Sequence, residues 1–385
     1  MSSSHILFIA GNTRSLIANR GDLIKEMKRR GHQVTALVPE YDFMPEIEQL
    51  GIPYRKISLS RSSVNPLAEM RSRKELERII REIAPDKVFA YTIKPVVQGV
   101  PAARRAGVEE VYAMITGMGY LFTGETLRQR LLRQVAVQLY RRALNKCTGI
   151  FFQNPDDIAL FKNLRIIGED SPVTMTNGSG VNMGHFAMGK RDEVKVNGSV
   201  NGTEDPSICF LVIARLLRDK GIMEFVRAAQ ELKSKHGDGV RFVVVGPYDP
   251  NLPFAVSRED YDVWMKGNVV AFMGKQSDVR PFINDCDVYV LPSYREGTPR
   301  SVLEAMAMGR PVVTTDTPGC RETVVEGENG FLVPAGEWKP LAEAMERFIH
   351  QPGLIADMGE KSYQLCEEKY EVGKVNEGIL RTMGI

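Results

Sequence analysis

The chain has 385 residues, 43% of them apolar and 25% charged, with a formal net charge of +2. That length is too great for one ordinary α/β domain and comfortable for two, and the balance is that of a folded protein rather than a disordered one. No run of 18 or more apolar residues occurs, so no transmembrane helix is expected. The start shows neither a basic stretch nor a small-residue cleavage site, so no signal peptide is expected. Five cysteines, Cys147, Cys209, Cys286, Cys320 and Cys366, lie far apart with no CxxC. This fits a reducing, cytoplasmic setting and argues against a disulfide framework or a zinc site.

The charge is unevenly spread. Residues 1–185 carry 26 Lys+Arg against 18 Asp+Glu, and the remainder carries 24 against 30. The basic first part points to an anionic ligand or surface there. The plainer reading is drift in surface composition.

In chain order, a strand-like run at 6–10 leads to a helix at 15–30 that stops at Gly31, then a strand at 34–38. Strands of the same kind follow at 87–91, 111–116 and 149–153. Their alternation with helical stretches predicts βαβ units on a parallel sheet. Residues 127–147 read as an amphipathic helix. Leu127, Leu131, Val135, Leu139 and Ala143 recur every four residues, and Arg128, Arg130, Arg133, Arg141, Arg142 and Lys146 line the polar face without an acid. Such a helix either packs into a core or lies on an anionic leaflet. The polar stretch 187–206 predicts a linker. Beyond it the pattern restarts, with strands at 208–213, 240–245, 269–272, 288–291 and 311–315 and a helix at 221–235. The helical stretch 354–383 is expected to break, with its tail packing back on the first part. The predicted fold class is α/β, with two Rossmann-like domains facing a central cleft. The domains are 1–186 and 207–365, with 366–385 returning to the first. Ligands of such folds sit at the carboxyl ends of the strands.

The most informative segment is Glu296-Gly297-Thr298-Pro299-Arg300-Ser301-Val302-Leu303-Glu304. A buried strand precedes it and a helix begins inside it. The turn amides and the helix dipole make an anion site suited to a diphosphate. Glu296 can accept from sugar hydroxyls and Glu304 from the two ribose hydroxyls. The plainer reading is a capping glutamate and a surface one. Arg215 and Lys220 flank a loop that opens a helix after the 208–213 strand, where two cations can hold a diphosphate. Alone, an Arg and a Lys five apart mean little. The loop Gly11-Asn12-Thr13-Arg14 is not GxGxxG, so NAD or FAD is not predicted. Asp285-Cys286-Asp287 sits at the amino end of a strand and reads as structural, which leaves no ligand cluster of metal-binding spacing. No basic groove motif with interleaved aromatics predicts a nucleic-acid partner.

With Pro311-Val312-Val313-Thr314-Thr315-Asp316, Gly319, Glu322 and Asn329-Gly330-Phe331-Leu332-Val333, this segment resembles the C-terminal signature of family 4 retaining glycosyltransferases of the GT-B fold. The resemblance runs through nearly the whole chain. Ser60-Arg61-Ser62-Ser63-Val64-Asn65-Pro66, Tyr91-Thr92-Ile93-Lys94-Pro95 and Thr116-Gly117-Met118-Gly119-Tyr120 are similar to segments of bacterial transferases that extend polyprenyl-diphosphate-linked oligosaccharides. Among these, the α-N-acetylgalactosaminyltransferases look nearest.

The resemblance implies transfer of a hexose or N-acetylhexosamine from a UDP-sugar, UDP-GalNAc favoured, to a lipid-linked saccharide. It implies catalytic roles for Arg215, Lys220 and Glu296. Donor contacts would come from Gly11, Gly297, Thr298, Pro299, Arg300, Ser301, Val302, Glu304 and Lys275. Acceptor contacts would come from Asn12, Arg20, Arg61, Lys94, Thr116 and Gly117. Many members carry a His after the fourth strand, whereas residues 115–119 hold none, and His5, His32, His185, His236 and His350 lie elsewhere. A histidine base is therefore not expected, and the departing phosphate oxygen can take the acceptor proton. No cofactor or metal is expected. The expected partners are a nucleotide sugar, a lipid-linked saccharide and an anionic membrane surface, with no nucleic acid. The expected place is cytoplasmic, peripheral on the inner face of the plasma membrane. Two other readings stay open: a same-fold transferase with a soluble acceptor, and a catalytically silent nucleotide-sugar binder.

Overall fold

The computed structural model describes residues 3–40, 44–59, 66–117, 127–187 and 207–385. They form two α/β units, one of Met1–Gly180 with Val372–Ile385 and the other of Val181–Glu371.

Unit 1 contains β1 (His5–Ile9), α1 (Thr13–Arg29), β2 (Gln33–Val38), α2 (Met44–Leu50), β3 (Tyr54–Lys56), α3 (Pro66–Ile83), β4 (Lys87–Tyr91), α4 (Val100–Arg105), β5 (Glu110–Ile115), α5 (Leu127–Leu144), β6 (Gly149–Phe152), α6 (Pro155–Asn163) and β7 (Val173–Met175). The strands form one sheet in the order β3-β2-β1-β4-β5-β6-β7, and the pairs flanking β1 and β4 are parallel. The central strands are apolar on both sides because helices cover both faces. Alternation along β1 sends Ile6 and Phe8 to one face and Leu7 and Ile9 to the other. Leu16, Leu23, Ile24 and Met27 of α1 pack on the first face. Leu76 and Ile80 of α3 and Tyr140 and Leu144 of α5 pack on the second.

Unit 2 contains β8 (Ile208–Ile213), α7 (Ile222–His236), β9 (Val240–Val245), α8 (Arg258–Gly267), β10 (Ala271–Phe272), α9 (Arg280–Asp285), β11 (Val288–Leu291), α10 (Arg300–Ala307), β12 (Val312–Thr315), β13 (Gly330–Val333), α11 (Trp338–His350) and α12 (Gly353–Leu365). Its parallel sheet runs β10-β9-β8-β11-β12-β13. Each sheet grows outward from its first strand in one direction and then reverses. The reversals lie between β1 and β4 and between β8 and β11. Such switch points are where open parallel sheets bind ligands.

The chain passes between units at places other than the expected residues 186 and 366. Val181 donates its N–H to the Tyr370 carbonyl at 2.9 Å. Val181, Phe186, Cys366 and Tyr370 are all buried in one cluster of unit 2. Residues 181–186 therefore belong to unit 2, and the return follows Glu371. The break in the last helical stretch is a π-helical turn at Cys366–Tyr370. The helix α13 (Val372–Thr382) then lays Val375, Ile379, Leu380 and Met383 against the α1 face of unit 1. Of the expected linker, residues 188–206 lie outside the described residues.

Candidate active site

In unit 2 the loops after β8 and β11 meet through a glycine. Gly221 has φ +68°, and a Cβ there would meet the Pro292 carbonyl oxygen at 2.1 Å. Only glycine allows that approach. It brings Lys220, at the end of a short 3₁₀ turn, against the loop after β11. The Lys220 ammonium donates to Glu296 Oε1 at 2.5 Å, and the Ser293 hydroxyl donates to the same oxygen at 2.7 Å. Burial works against the Lys220 charge, but the Glu296 carboxylate outweighs it, so the ammonium titrates above the ordinary lysine value. Lys220 is thus a fixed cation at neutral pH.

The loop after β12 backs this pair. Gly319 has φ +83°, and a Cβ on it would meet the carbonyl oxygens of Glu296 and Gly297 at 2.3 and 2.4 Å. Cys320 is fully buried beside them, and burial, with Glu296 adding to it, pushes its thiol up to about 11. It stays protonated and is no nucleophile. The Ser293 carbonyl accepts from the Thr315 and Thr317 hydroxyls, which fixes the backbone that carries Glu296. Ser293 and Cys320 had no assigned role in the sequence. Their place in the loops after β11 and β12 would have been the means of finding them.

The helix α10 opens on Pro299, which has extended backbone and offers no side-chain cap to the first turn. Arg300 Nε donates to Glu304 Oε1 at 2.8 Å, and Glu304 is 9% exposed. Gly297 and Pro299 are buried, and Thr298 and Ser301 half-buried. Val302, expected among the donor contacts, is fully buried, and its N–H donates to the Pro299 carbonyl. Its side chain packs the core. Arg215 and Lys275 are both exposed, in the segments just beyond β8 and β10. Asp285 pairs with Arg241, and Asp287 accepts the Cys209 N–H at 2.8 Å. Asp285 thus ties to the start of β9 and Asp287 to the start of β8, as a structural reading expects.

At the unit 1 switch point a Cβ on Gly11 would meet Thr92 Oγ1 at 2.6 Å. Asn12 caps α1, its side chain accepting from the Ser15 N–H at 2.9 Å. Asn12 Nδ2 and the Thr13 N–H both donate to Glu40 Oε1, at 2.5 and 3.3 Å. Glu40, which follows β2, had no assigned role in the sequence. Lys94 pairs with Glu69, which also accepts from Gln98 at 2.6 Å. Thr116 and Gly117 follow β5 and are half-buried. Arg20 departs from expectation. It is 1% exposed, with its guanidinium 5.6 Å from the Tyr91 ring centroid. Arg61, Met118, Gly119 and Tyr120 lie outside the described residues. Among the described residues, no helix is long and apolar enough to cross a membrane.

One group of metal-ligating side chains also comes together. His236, Glu346 and His350 have ligand atoms within 4.8 Å of one another. The sequence spacing that predicted no metal site could not show this, because His236 and Glu346 are 110 positions apart.

Two family models match: Glycosyl transferase 4-like over residues 5–154 and Glycosyl transferases group 1 over residues 197–365. The chain is 27% identical over 358 residues to the N,N'-diacetylbacillosaminyl-diphospho-undecaprenol alpha-1,3-N-acetylgalactosaminyltransferase of Campylobacter jejuni, covering 93% of this chain and 92% of that one. Among solved structures, Anabaena Alr3699/HepE in complex with UDP and glucose superposes with a TM-score of 0.77 at 20% identity, covering 99% of each chain. The sucrose-phosphate synthase of Thermosynechococcus elongatus does so with 0.79 at 16%, covering 98% of each. These likenesses extend over both units and agree with the cation–carboxylate pair at the unit 2 switch point: the chain belongs to the glycosyltransferases of the GT-B fold.

Proposed function

We propose that the protein is a retaining transferase that moves a hexose or N-acetylhexosamine, N-acetylgalactosamine favoured, from its UDP donor to a polyprenyl-diphosphate-linked saccharide. The observation that carries the reading is the Lys220–Glu296–Ser293 cluster beside the α10 N-terminus. A fixed ammonium and a helix dipole suit a departing diphosphate. Arg215 is the second cation on the donor, Lys275 and Gly297–Ser301 line it, and Glu304 takes the ribose hydroxyls. The departing phosphate oxygen accepts the proton of the attacking hydroxyl on the same face of the sugar, so no metal enters the chemistry. The lipid-linked acceptor rests on likeness to the Campylobacter enzyme, which spans 93% of this chain.

An anionic membrane surface belongs to the same reading, on the cytoplasmic side. The apolar stripe of α5 splits in two. Its second half, with Ala143 and Leu144, is buried, while Leu131 and Val135 are 64% and 51% exposed. Leu67 and Met70 near the start of α3 are exposed as well. Arg130 and Arg142 are exposed on α5, and Lys146 just beyond it. Exposed apolar side chains among basic ones suit an anionic leaflet better than a core.

The test is a radiolabelled transfer assay with UDP-GalNAc, UDP-GlcNAc and UDP-Glc, offered polyprenyl-diphosphate-linked or free saccharide, with and without EDTA. Far better use of the lipid-linked acceptor, α-configured product from an α donor and indifference to EDTA are expected. Equal use of free saccharide would promote the soluble-acceptor reading, and donor binding without turnover the silent-binder reading. Leu131→Asp should reduce sedimentation with phosphatidylglycerol vesicles. Unchanged sedimentation would remove α5 from the membrane.

A further inference from the structure

The helices α7 and α11 lie side by side on one face of the unit 2 sheet, sharing Phe225, Val226 and Leu232 with Leu341, Met345 and Phe348 in one core. His236 is the last residue of α7 and His350 the last of α11. Glu346 stands one turn before His350 on the same helix face, since residues four apart are neighbours there. His236 Nε2 lies 2.8 Å from Glu346 Oε1, and His350 Nε2 lies 3.9 Å from the same oxygen. The two imidazole rings meet edge to face with centroids 5.6 Å apart.

We propose that His236, Glu346 and His350 bind a divalent transition metal of the zinc class, through two imidazole nitrogens and one carboxylate oxygen. Two nitrogens and one oxygen are a common zinc set, with water completing a tetrahedron. Bonds of that kind hold neighbouring donor atoms about 3.4 Å apart, and 2.8 and 3.9 Å bracket that spacing. The third pair of donor atoms, the two imidazole nitrogens, also lies within 4.8 Å. The backbone agrees independently. Two helices end here together, and the negative end of each dipole favours a cation. The Lys235 ammonium lies 3.7 Å from the other carboxylate oxygen, Oε2, and at 46% exposure it can swing into solvent.

The site is structural, not part of transfer. The α7 helix of 15 residues spans about 20 Å, with the donor loop at its start and His236 at its end. A metal there would clamp the ends of α7 and α11, tightening the helix pair that covers this face of the sheet. The inference is independent of the donor and acceptor assigned above.

The experiment titrates ZnCl₂ into the EDTA-treated full-length chain at neutral pH, followed by calorimetry and by melting temperature. One equivalent should bind and raise the melting temperature. His236→Ala with His350→Ala should weaken binding roughly tenfold or more, while UDP binding, which reports the fold, stays at the wild-type level. His350→Gln, at an exposed position, keeps the test decisive if the double variant fails to fold. Glu346→Gln should weaken binding in the same direction. Co²⁺ in place of Zn²⁺ should give tetrahedral visible absorption without thiolate charge transfer. No binding by the wild-type chain, wild-type affinity in the His variants, or a thiolate signature would each overturn the proposal.

Discussion

The two switch points share a topology and differ in what their side chains do with it. In unit 1, α1 begins on Asn12, whose side chain folds back on the first turn, and Glu40 adds a carboxylate that accepts from Asn12 and the Thr13 N–H. In unit 2, α10 begins on Pro299 with no side-chain cap, and the nearby carboxylate of Glu296 is matched by Lys220. A helix start attracts negative charge in either case. Unit 1 supplies that charge itself, while unit 2 places a cation beside the helix. Parallel topology creates a helix start at a switch point twice, and local side chains give each a different charge setting.

Lys220→Ala should give the largest effect, lowering the kcat of sugar transfer about 10²–10³-fold. A comparable loss from Glu40→Ala would erase the contrast between the units. Glu304→Ala should follow, raising the donor KM about 10- to 100-fold with a smaller change in kcat. Steady-state kinetics at saturating acceptor reads both. Glu40→Gln removes the charge over α1 and should cost about 0.5–1 kcal/mol in denaturant melts, with the donor KM unchanged. Tighter UDP-sugar binding in that variant would mean that Glu40 holds a phosphate position closed. The smallest effect concerns the tie between α13 and α1. Arg29 draws the Glu26 carboxyl down, against a smaller cost of burial and with Arg30 assisting, to about 2. A lowered carboxyl stabilises the fold above its unfolded value of 4.5 and loses that contribution as pH falls toward about 2. Arg30 also pairs with Glu377 of α13. Arg30→Ala should therefore flatten the acid limb of a melting curve by less than about 1 kcal/mol, the pairs being partly in water. An unchanged limb would assign the acid sensitivity elsewhere.

Much of the layout is legible from local pattern. Short continuous apolar runs such as Ile6–Ile9 and Val288–Leu291, rich in β-branched and aromatic residues, read as strands covered on both faces. The turn at Gly297–Arg300 follows from the strand before it and the helix after it. What escaped depends on distant residues. Whether Phe186 joins unit 1 or unit 2 is set by Tyr370 and Cys366, nearly two hundred positions later. Arg20, expected as an acceptor contact, carries no local mark of burial, yet the fold buries it with its guanidinium over the Tyr91 ring. Val302 stands inside the signature segment, yet helical phase turns it to the core. Glu40 and the His236–Glu346–His350 group have no local mark. Each is made by elements that meet only in the folded chain.

The return of α13 has a consequence for biosynthesis. The ribosome delivers β1, α1 and β4 early, but Val375, Ile379, Leu380 and Met383, which complete that face, emerge only after all of unit 2. Domains made first usually fold first. Here the first-made unit must wait, with the part of that face covered by Val375, Ile379 and Leu380 left open, while the second is translated. A released chain truncated before residue 372 would carry all of unit 2 and an incomplete unit 1. Until those residues emerge, the open apolar face is the kind of surface that chaperones bind.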